Sequence, residues 1–301
     1  MAERAVLLMA YGSPRRLEDL AAYYTHIRHG RPPSPEALEE LASRYRAIGG
    51  SPLVAISERQ RRGLEARLNQ AAEDGRWRVY LGFRHAPPFL ADVVADMARD
   101  GVTEGVALAL APHYHPLSVG AYLEAVRQAA ERFPSLRLRG IAAWHLEPGL
   151  IAWWARQVKR LAVQVPQGSG PVHWVFTAHS LPAPSPEYRA AVEATAAAVA
   201  RQSRLGAFEV AFQSRPRAPG EWLGPDLLER LPAWGRAGGT VAVVPVGFVS
   251  DHLETLYDLD IQAREAAERL RLGFVRAAAP NDDPDFVEVL AAVVEREAQA
   301  L

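Results

Sequence analysis

The sequence contains no cysteine among its 301 residues. This absence excludes disulfide bonds, zinc sites built on thiolates and iron–sulfur clusters held by cysteine. The chain also lacks an excess of charge of either sign, because 34 Lys and Arg residues face 35 Asp and Glu residues, for a formal net charge of −1. We therefore expect no general attraction to nucleic acid or to anionic membranes.

Long hydrophobic runs are missing as well. The first apolar run, AVLLMA at residues 5–10, is six residues long, which is shorter than the core of a signal peptide or a membrane span. No G-x-G-x-x-G or phosphate-loop pattern follows an apolar run, which argues against a nucleotide cofactor. We expect a cytoplasmic protein without a membrane anchor.

Apolar runs of strand length alternate with amphipathic helical stretches, a pattern typical of parallel sheets covered by helices on both faces. In the second half of the chain, three of these runs repeat runs of the first half at offsets of 130, 135 and 136 residues (77 to 207, 105 to 240, 136 to 272). The pattern predicts an α/β fold with two similar Rossmann-like domains, residues 1–144 and 145–283, each with a four-stranded parallel sheet flanked by helices. The predicted strands are 5–10, 77–83, 105–111, 136–142, 172–177, 207–212, 240–246 and 272–277.

The two halves differ between their first and second strands. The first half has 66 residues there (11–76), whereas the second half has 29 (178–206). The excess, about residues 12–52, is rich in tyrosine and arginine and begins directly after the carboxyl end of a strand, where open α/β sheets bind ligands. We expect this insertion to form a lid or one wall of a binding site. A surface excursion without function is the alternative.

Polar side chains follow most of the predicted strands. Neutral nitrogen and oxygen donors dominate this set, and they suit a borderline divalent metal such as ferrous iron. The candidates in the first half are Tyr11, Arg84, His85, His113 and His115, and those in the second half are His179, Ser180, Gln213, Arg215, Asp251, His252 and Glu254.

A helix is predicted to begin near Asp251 and to carry Asp251, Glu254, Asp258 and Gln262 on one stripe, at i, i+3, i+7 and i+11. A capping box between Asp251 and Glu254 is the structural alternative, although it does not explain Asp258. His179 could be a catalytic residue. The alternative is that it is a structural residue whose imidazole forms hydrogen bonds at the end of a strand.

Seven segments of the chain, in this order, resemble motifs of the ferrochelatases: LLMAYGSP, YYTHIRHGRPPSPE, RYRAIGGSPL, LAPHY, TAHSLP, WLGPD and PVGFVSDHLETLYDLD. They are most similar to those of the compact, soluble type that uses coproporphyrin III. The resemblance implies two Rossmann-like domains with a porphyrin cleft between them, and a C-terminal helix (about 284–299) that packs on the first domain. It also implies insertion of Fe²⁺ into the porphyrin with release of two protons, both molecules being substrates and no cofactor being bound permanently.

Site residues follow from the same resemblance. His179 and Glu254 match the pair that handles iron and the pyrrole protons, and Tyr11 matches an axial ligand of the product iron. Asp258 would lie on the path of the metal, whereas Gln262 departs from the acid that relatives carry there. The matched porphyrin contacts, besides Tyr11, are Arg28, Arg44, Tyr45, Ser51 and Tyr122.

Three alternatives to this function remain at the level of the sequence. The chain could be a chelatase for protoporphyrin IX, a chelatase for another tetrapyrrole or metal such as cobalt, or a two-domain solute-binding protein without chemistry. For a ferrochelatase we expect transient contact with other enzymes of heme biosynthesis and no nucleic-acid partner.

Overall fold

The computed structural model describes residues 3–71, 76–216 and 219–299. The chain divides into two compact units, of which the first comprises Met1–Trp144 and Asn281–Leu301 and the second comprises His145–Pro280. We call them unit 1 and unit 2.

Unit 1 is built on a parallel sheet with the strand order β2-β1-β3-β4. Between its strands lie helices, a short 3₁₀ turn at Leu17–Asp19 and a π-helical segment at Pro116–Gly120. In chain order the elements are β1 (Glu3–Ala10), α1 (Leu20–Ile27), α2 (Pro35–Ala47), α3 (Leu53–Ala71), β2 (Arg76–Phe83), α4 (Leu90–Arg99), β3 (Glu104–Ala109), α5 (Ala121–Ala130) and β4 (Arg137–Ile141).

The core of unit 1 lies on both faces of β1, whose residues from Ala5 to Met9 are fully buried. A strand buried on both faces reads as a continuous apolar run, which explains why AVLLMA stands out in the sequence. Helix α4 covers one face and buries Leu90, Val94 and Met97, which lie at i, i+4 and i+7 on one side of the helix.

Unit 2 repeats this architecture with the strand order β6-β5-β7-β8, again fully parallel. A π-helical segment at Asp258–Ala263 joins its two short helices. The elements are α6 (Pro148–Gln164), β5 (Val172–His179), α7 (Pro186–Ser203), β6 (Glu209–Gln213), α8 (Leu227–Ala237), β7 (Thr240–Val244), α9 (Leu253–Leu256), α10 (Arg264–Arg269) and β8 (Gly273–Arg276).

The C-terminal helix α11 (Pro284–Ala298) returns to unit 1 and packs on α3. The absence of a side chain at Gly63 allows the approach, because a Cβ there would lie 3.1 Å from Val287. Arg67 of α3 forms ion pairs with Glu288 at 2.6 Å and with Glu295 at 3.2 Å.

The two four-stranded parallel sheets flanked by helices confirm the predicted fold class, and every predicted strand is found within two residues of its expected start. Across the described parts of the chain, no helix is both long enough and apolar enough to cross a membrane.

Candidate functional site

The candidate site is built where β5 and β7 end in unit 2. His179 is the last residue of β5, the strand between β6 and β7 in the sheet. The segment after β7 is held against it, because the Gly247 N–H donates to the Thr177 carbonyl at 3.0 Å. A Cβ at position 247 would lie 2.6 Å from the Cβ of Ala178, so only glycine permits this contact without a shift of the chain. The contact brings Glu254 next to His179.

Three side chains form the centre of the site, which we call the His179–Glu254–His252 cluster. One carboxylate oxygen of Glu254, Oε1, lies 3.2 Å from the Nε2 atom of His179. The other oxygen, Oε2, lies 3.4 Å from the Nε2 atom of His252. The three side chains are 20–30% exposed, so the cluster is desolvated but accessible to a ligand.

Both imidazoles are oriented by backbone carbonyls. The Nδ1 atom of His179 lies 2.5 Å from the Ser180 oxygen, and that of His252 lies 2.9 Å from the Ser250 oxygen. A carbonyl oxygen only accepts hydrogen bonds, so each Nδ1 carries a proton. Because a carboxylate faces each Nε2, the arrangement favours the doubly protonated, positively charged form of both rings.

The charges of the cluster shift the pKa values of its members. Burial alone would lower the pKa of His179, but attraction to Glu254 and the hydrogen bond with it outweigh burial and raise this pKa to about 9. Burial alone would raise the pKa of Glu254, but His179 and then His252 hold it well below its ordinary range. At neutral pH His179 and Glu254 therefore form an ion pair.

Two residues at the end of β6 form hydrogen bonds with Glu254 and Asp258. The Gln213 side chain donates its Nε2–H to the Glu254 carbonyl at 2.8 Å. The Ser214 hydroxyl donates to Oδ2 of Asp258 at 2.5 Å. Two consecutive residues of β6 and its following loop thus fix the positions of both acids.

The predicted helix near Asp251 is present, since helical structure begins at Leu253, but it is not the regular α-helix that the predicted stripe requires. Helix α9 begins at Leu253 and ends at Leu256, and a π-helical segment follows in which the Gln262 N–H donates to the Tyr257 carbonyl, five residues back, at 2.8 Å. The physical reason lies partly in Gln213, which takes the Glu254 carbonyl that a continuous α-helix would pair with the N–H of Asp258. The four polar residues therefore do not share one helical stripe.

The capping alternative for Asp251 and Glu254 is also wrong. Among the described residues, the Glu254 carboxylate contacts only the two histidines of the cluster. The helix start is instead closed by a hydrogen bond from the His252 N–H to the Thr255 hydroxyl at 2.9 Å. Asp251 pairs with Arg276 at 3.2 Å, and Arg276 forms a two-pronged contact with Asp260 at 2.7 and 2.6 Å.

His252 was among the candidates that follow a strand, but its role beside Glu254 was not predicted. Arg276 was missed as a site residue. Arg276 is 9% exposed and ties the start of α9 to the π-helical segment. Its signal was a charge at the end of an otherwise apolar strand.

Unit 1 holds the residues that the resemblance assigns to the porphyrin. Tyr11 directly follows β1 and is 41% exposed, with its ring 4.6 Å from that of His85. Arg28 is exposed at the end of α1, and its guanidinium lies 5.7 Å from the centre of the Tyr24 ring. These side chains are accessible to a ligand.

The remaining assigned residues of unit 1 are less exposed. Arg44 pairs with Glu40 one turn earlier on α2, at 2.8 Å. Ser51 accepts a hydrogen bond from the Leu53 N–H at the start of α3. Tyr45 and Tyr122 are both 4% exposed, so a ligand would reach little of either ring.

Metal binding by the cluster would need a rearrangement of its protons. Within the described residues, no group of three or more His, Cys, Asp or Glu side chains is arranged to hold a metal ion. The histidine nitrogens point at a carboxylate rather than at one shared point. The Glu254 carboxylate faces both Nε2 atoms, so a metal would bind either imidazole only after that contact had opened.

A family model described as Ferrochelatase matches residues 3–298. The chain belongs to the ferrochelatase family. Among its relatives in that family, the coproporphyrin III ferrochelatase of Geobacillus kaustophilus is 41% identical over 96% of this chain and 94% of the relative. The coproporphyrin III ferrochelatase of Bacillus subtilis is 37% identical over 96% of each chain.

Solved structures outside the close relatives share the fold. The sirohydrochlorin chelatase SirB from Bacillus subtilis subspecies spizizenii, in complex with cobalt, aligns with a TM-score of 0.60 at 13% identity, over 99% of this chain and 96% of its own. CbiX, the terminal enzyme for biosynthesis of siroheme in denitrifying bacteria, aligns with a TM-score of 0.56 at 14% identity, over 97% of this chain and 98% of its own. At such low identity the likeness concerns the fold alone.

Proposed function

We propose that the chain inserts Fe²⁺ into coproporphyrin III and so forms coproheme III in heme biosynthesis. The observation that carries this proposal is the His179–Glu254–His252 cluster, which joins two imidazoles and a carboxylate in a member of the ferrochelatase family. The relatives named as coproporphyrin III ferrochelatases, at 37–41% identity over nearly the whole chain, support the choice of porphyrin.

The reaction demands groups that exchange protons for a metal. A metal-free porphyrin carries two N–H protons in its plane, and a hydrated ion cannot reach the nitrogens while the ring is flat. The enzyme must hold the ring distorted, remove water from iron and accept the protons. His179 and Glu254 fit the last two tasks, because both are ligands of borderline metals and both are bases.

The order of events follows from the protonation of the free cluster. His179 carries a proton in the ion pair with Glu254, and only a deprotonated imidazole binds a metal. Arrival of Fe²⁺ would therefore release a proton from His179. As iron passes from these ligands to the ring nitrogens, the imidazole and the carboxylate would accept the two pyrrole protons that iron displaces.

The residues of unit 1 would bind the porphyrin. Arg28 and Arg44 would contact propionates, with charge-assisted hydrogen bonds worth roughly 1.5–3 kcal/mol each. Ser51, Tyr45 and Tyr122 would supply neutral polar contacts, and Tyr11 would be the axial ligand of the product iron. In unit 2, Asp258 would lie on the path of the incoming metal.

The setting of the reaction is part of the same proposal. We place it in the cytoplasm, with the product passed on through transient contact with other enzymes of heme biosynthesis. The absence of a membrane-spanning helix in the described residues agrees with a substrate that carries four carboxylates.

An anaerobic assay with a panel of porphyrins and metals tests the function. We expect Fe²⁺ and coproporphyrin III to give the absorption spectrum of the metallated porphyrin, with a higher kcat/KM than for protoporphyrin IX. Equal or better use of protoporphyrin IX would overturn the substrate assignment. A preference for cobalt would point to another chelatase, and binding of porphyrin without turnover would point to a solute-binding protein.

A further inference from the structure

Unit 1 contains a groove of about 730 Å³ between the first half of α3 and the edge strand β2. Its floor is apolar, since Val79, Leu81 and Phe83, which alternate along β2, line it together with Val54 of α3. Cavities of roughly 300–1,000 Å³ with an apolar lining and a few polar groups are the usual size of small-molecule sites.

The geometry of the edge strand excludes a peptide strand as the occupant. Asn69 of α3 bonds both the N–H and the carbonyl of Trp77, each at 2.9 Å. Glu65 and Arg61 do the same for the N–H and the carbonyl of Val79. Side chains of α3 thus already occupy the outward-facing backbone groups of Trp77 and Val79. An added peptide strand would need those same groups for its hydrogen bonds.

The same alternation gives the groove a hydrogen-bond donor. The backbone groups of Trp77 and Val79 face away from β1, and those of Phe83 do so too, because the Phe83 N–H donates to the Pro88 carbonyl at 2.8 Å. With a period of two residues, the N–H of Leu81 also faces outward, into the groove that Leu81 lines.

Arginines give the groove its charge. Arg15, Arg59, Arg61 and Arg62 line it, against the single acid Glu58. Three of them already pair with carboxylates: Arg59 with Asp282, and Arg61 and Arg62 with Glu58.

Arg15 is the exception. It is exposed, and within residues 3–71, 76–216 and 219–299 its side chain forms no hydrogen bond or ion pair. Its charge is therefore available to an anionic ligand without the loss of an existing pair. An apolar floor beside an uncommitted guanidinium fits an organic carboxylate better than an inorganic anion.

We infer that this groove binds a propionate-bearing edge of the porphyrin substrate, and that Arg15 is a specificity-determining residue for porphyrins with many propionates. The inference rests on the proposed function, because Ser51, one of the assigned porphyrin contacts, lines the same groove. The apolar floor would contact the methyl groups of the macrocycle, while Arg15 and the Leu81 N–H would receive a carboxylate. In protoporphyrin IX, vinyl groups replace two of the four propionates of coproporphyrin III. The inference places one of those two propionates at Arg15, which therefore favours coproporphyrin III.

Arg15→Met tests the inference, because methionine keeps much of the apolar stem and removes the charge. The matched control is Arg16→Met, since Arg16 is the next residue, is exposed, and pairs with Glu18 rather than lining the groove. We expect Arg15→Met to raise KM and Kd for coproporphyrin III roughly threefold to tenfold. The values for protoporphyrin IX and both kcat values should change less than twofold, Arg15→Lys should restore most of the loss, and Arg16→Met should resemble the parent.

Two arms of the experiment separate the inference from the proposed function. Porphyrin Kd values come from fluorescence titration without metal, whereas KM comes from iron insertion. If the parent metallates coproporphyrin III and Arg15→Met leaves both constants unchanged, the groove does not bind the propionates and the inference is wrong. If both porphyrins lose affinity equally, Arg15 contacts a group that both carry, and its assignment as a specificity-determining residue is wrong. If the parent neither binds nor metallates coproporphyrin III, the proposed function fails and the inference falls with it.

Discussion

Replacement of Glu254 by glutamine should remove the charge at position 254 and also change the protonation of His179. The amide keeps the size of the side chain, but it removes the negative charge that holds the pKa of His179 at about 9. Burial then acts against the charged imidazole with little opposition, so we expect the pKa of His179 to fall to its ordinary value of 6.5 or below. A fall from about 9 to 6.5 corresponds to about 3–4 kcal/mol, at about 1.4 kcal/mol per pH unit.

The same change predicts how stability depends on pH. The raised pKa of His179 contributes stability that is complete below 6.5 and is lost as pH rises through about 9. The lowered pKa of Glu254 contributes stability that is present above 4.5 and is lost as pH falls through its folded value. The free energy of unfolding of the parent should therefore exceed that of Glu254→Gln most between pH 4.5 and 6.5, and the difference should shrink toward pH 9.

NMR titration of the imidazole carbons in both proteins measures the first effect, and urea unfolding across pH measures the second. Iron insertion should also lose most of its rate, because the amide is neither a base nor a metal ligand of comparable strength. A pKa of His179 that stays near 9 in Glu254→Gln would refute the reasoning, since it would show that the carboxylate is not the cause of the shift.

Three further predictions concern single side chains. His179→Ala should abolish iron insertion while porphyrin affinity, measured by fluorescence titration, stays within a few-fold of the parent; normal turnover would contradict the assignment. Tyr11→Phe should leave insertion intact but alter the visible spectrum and retention of the ferric product, because a phenol oxygen prefers ferric iron; an unchanged spectrum would show that Tyr11 does not touch the metal. Arg276→Met should lower the free energy of unfolding in urea by about 3–5 kcal/mol, because it removes the cation that pairs with two partly buried carboxylates. Arg269→Met is its control, since that exposed pair with Glu265 should contribute less than about 0.5 kcal/mol.

The strands could be predicted from the sequence because the central strands of both sheets are buried on both faces. Residues Val241–Val244 of β7 are fully buried, for example, and so read as an unbroken apolar run. His179 was expected just after a strand and is instead its last residue, because pairing with Gln213 continues β5 to that point. An error of two residues in the end of a strand still leaves the side chain of His179 at the carboxyl end of the sheet.

The region after β7 could not be predicted correctly from a helical period. Its shape depends on the Gln213 side chain, which comes from another strand, and on Arg276, which binds acids on both sides of α9. Both contacts join residues that are distant in the sequence. The spacing of acidic residues, by contrast, can predict only which side chains are neighbours on one regular helix. The role of His252 was missed for the same reason, since it became visible only when the position of Glu254 between two rings was known.

The place of α11 in unit 1 has a consequence for synthesis on the ribosome. Unit 2 is one continuous stretch, so all of its strands have been made before the last helix leaves the exit tunnel. Unit 1 is different, because Phe286, Leu290, Val293 and Val294 of α11 are fully buried. Until these residues emerge, the nascent first unit exposes the apolar surface that they will cover. The segment translated first thus completes its folding last, and a chaperone that binds exposed apolar surface would find its target there during elongation.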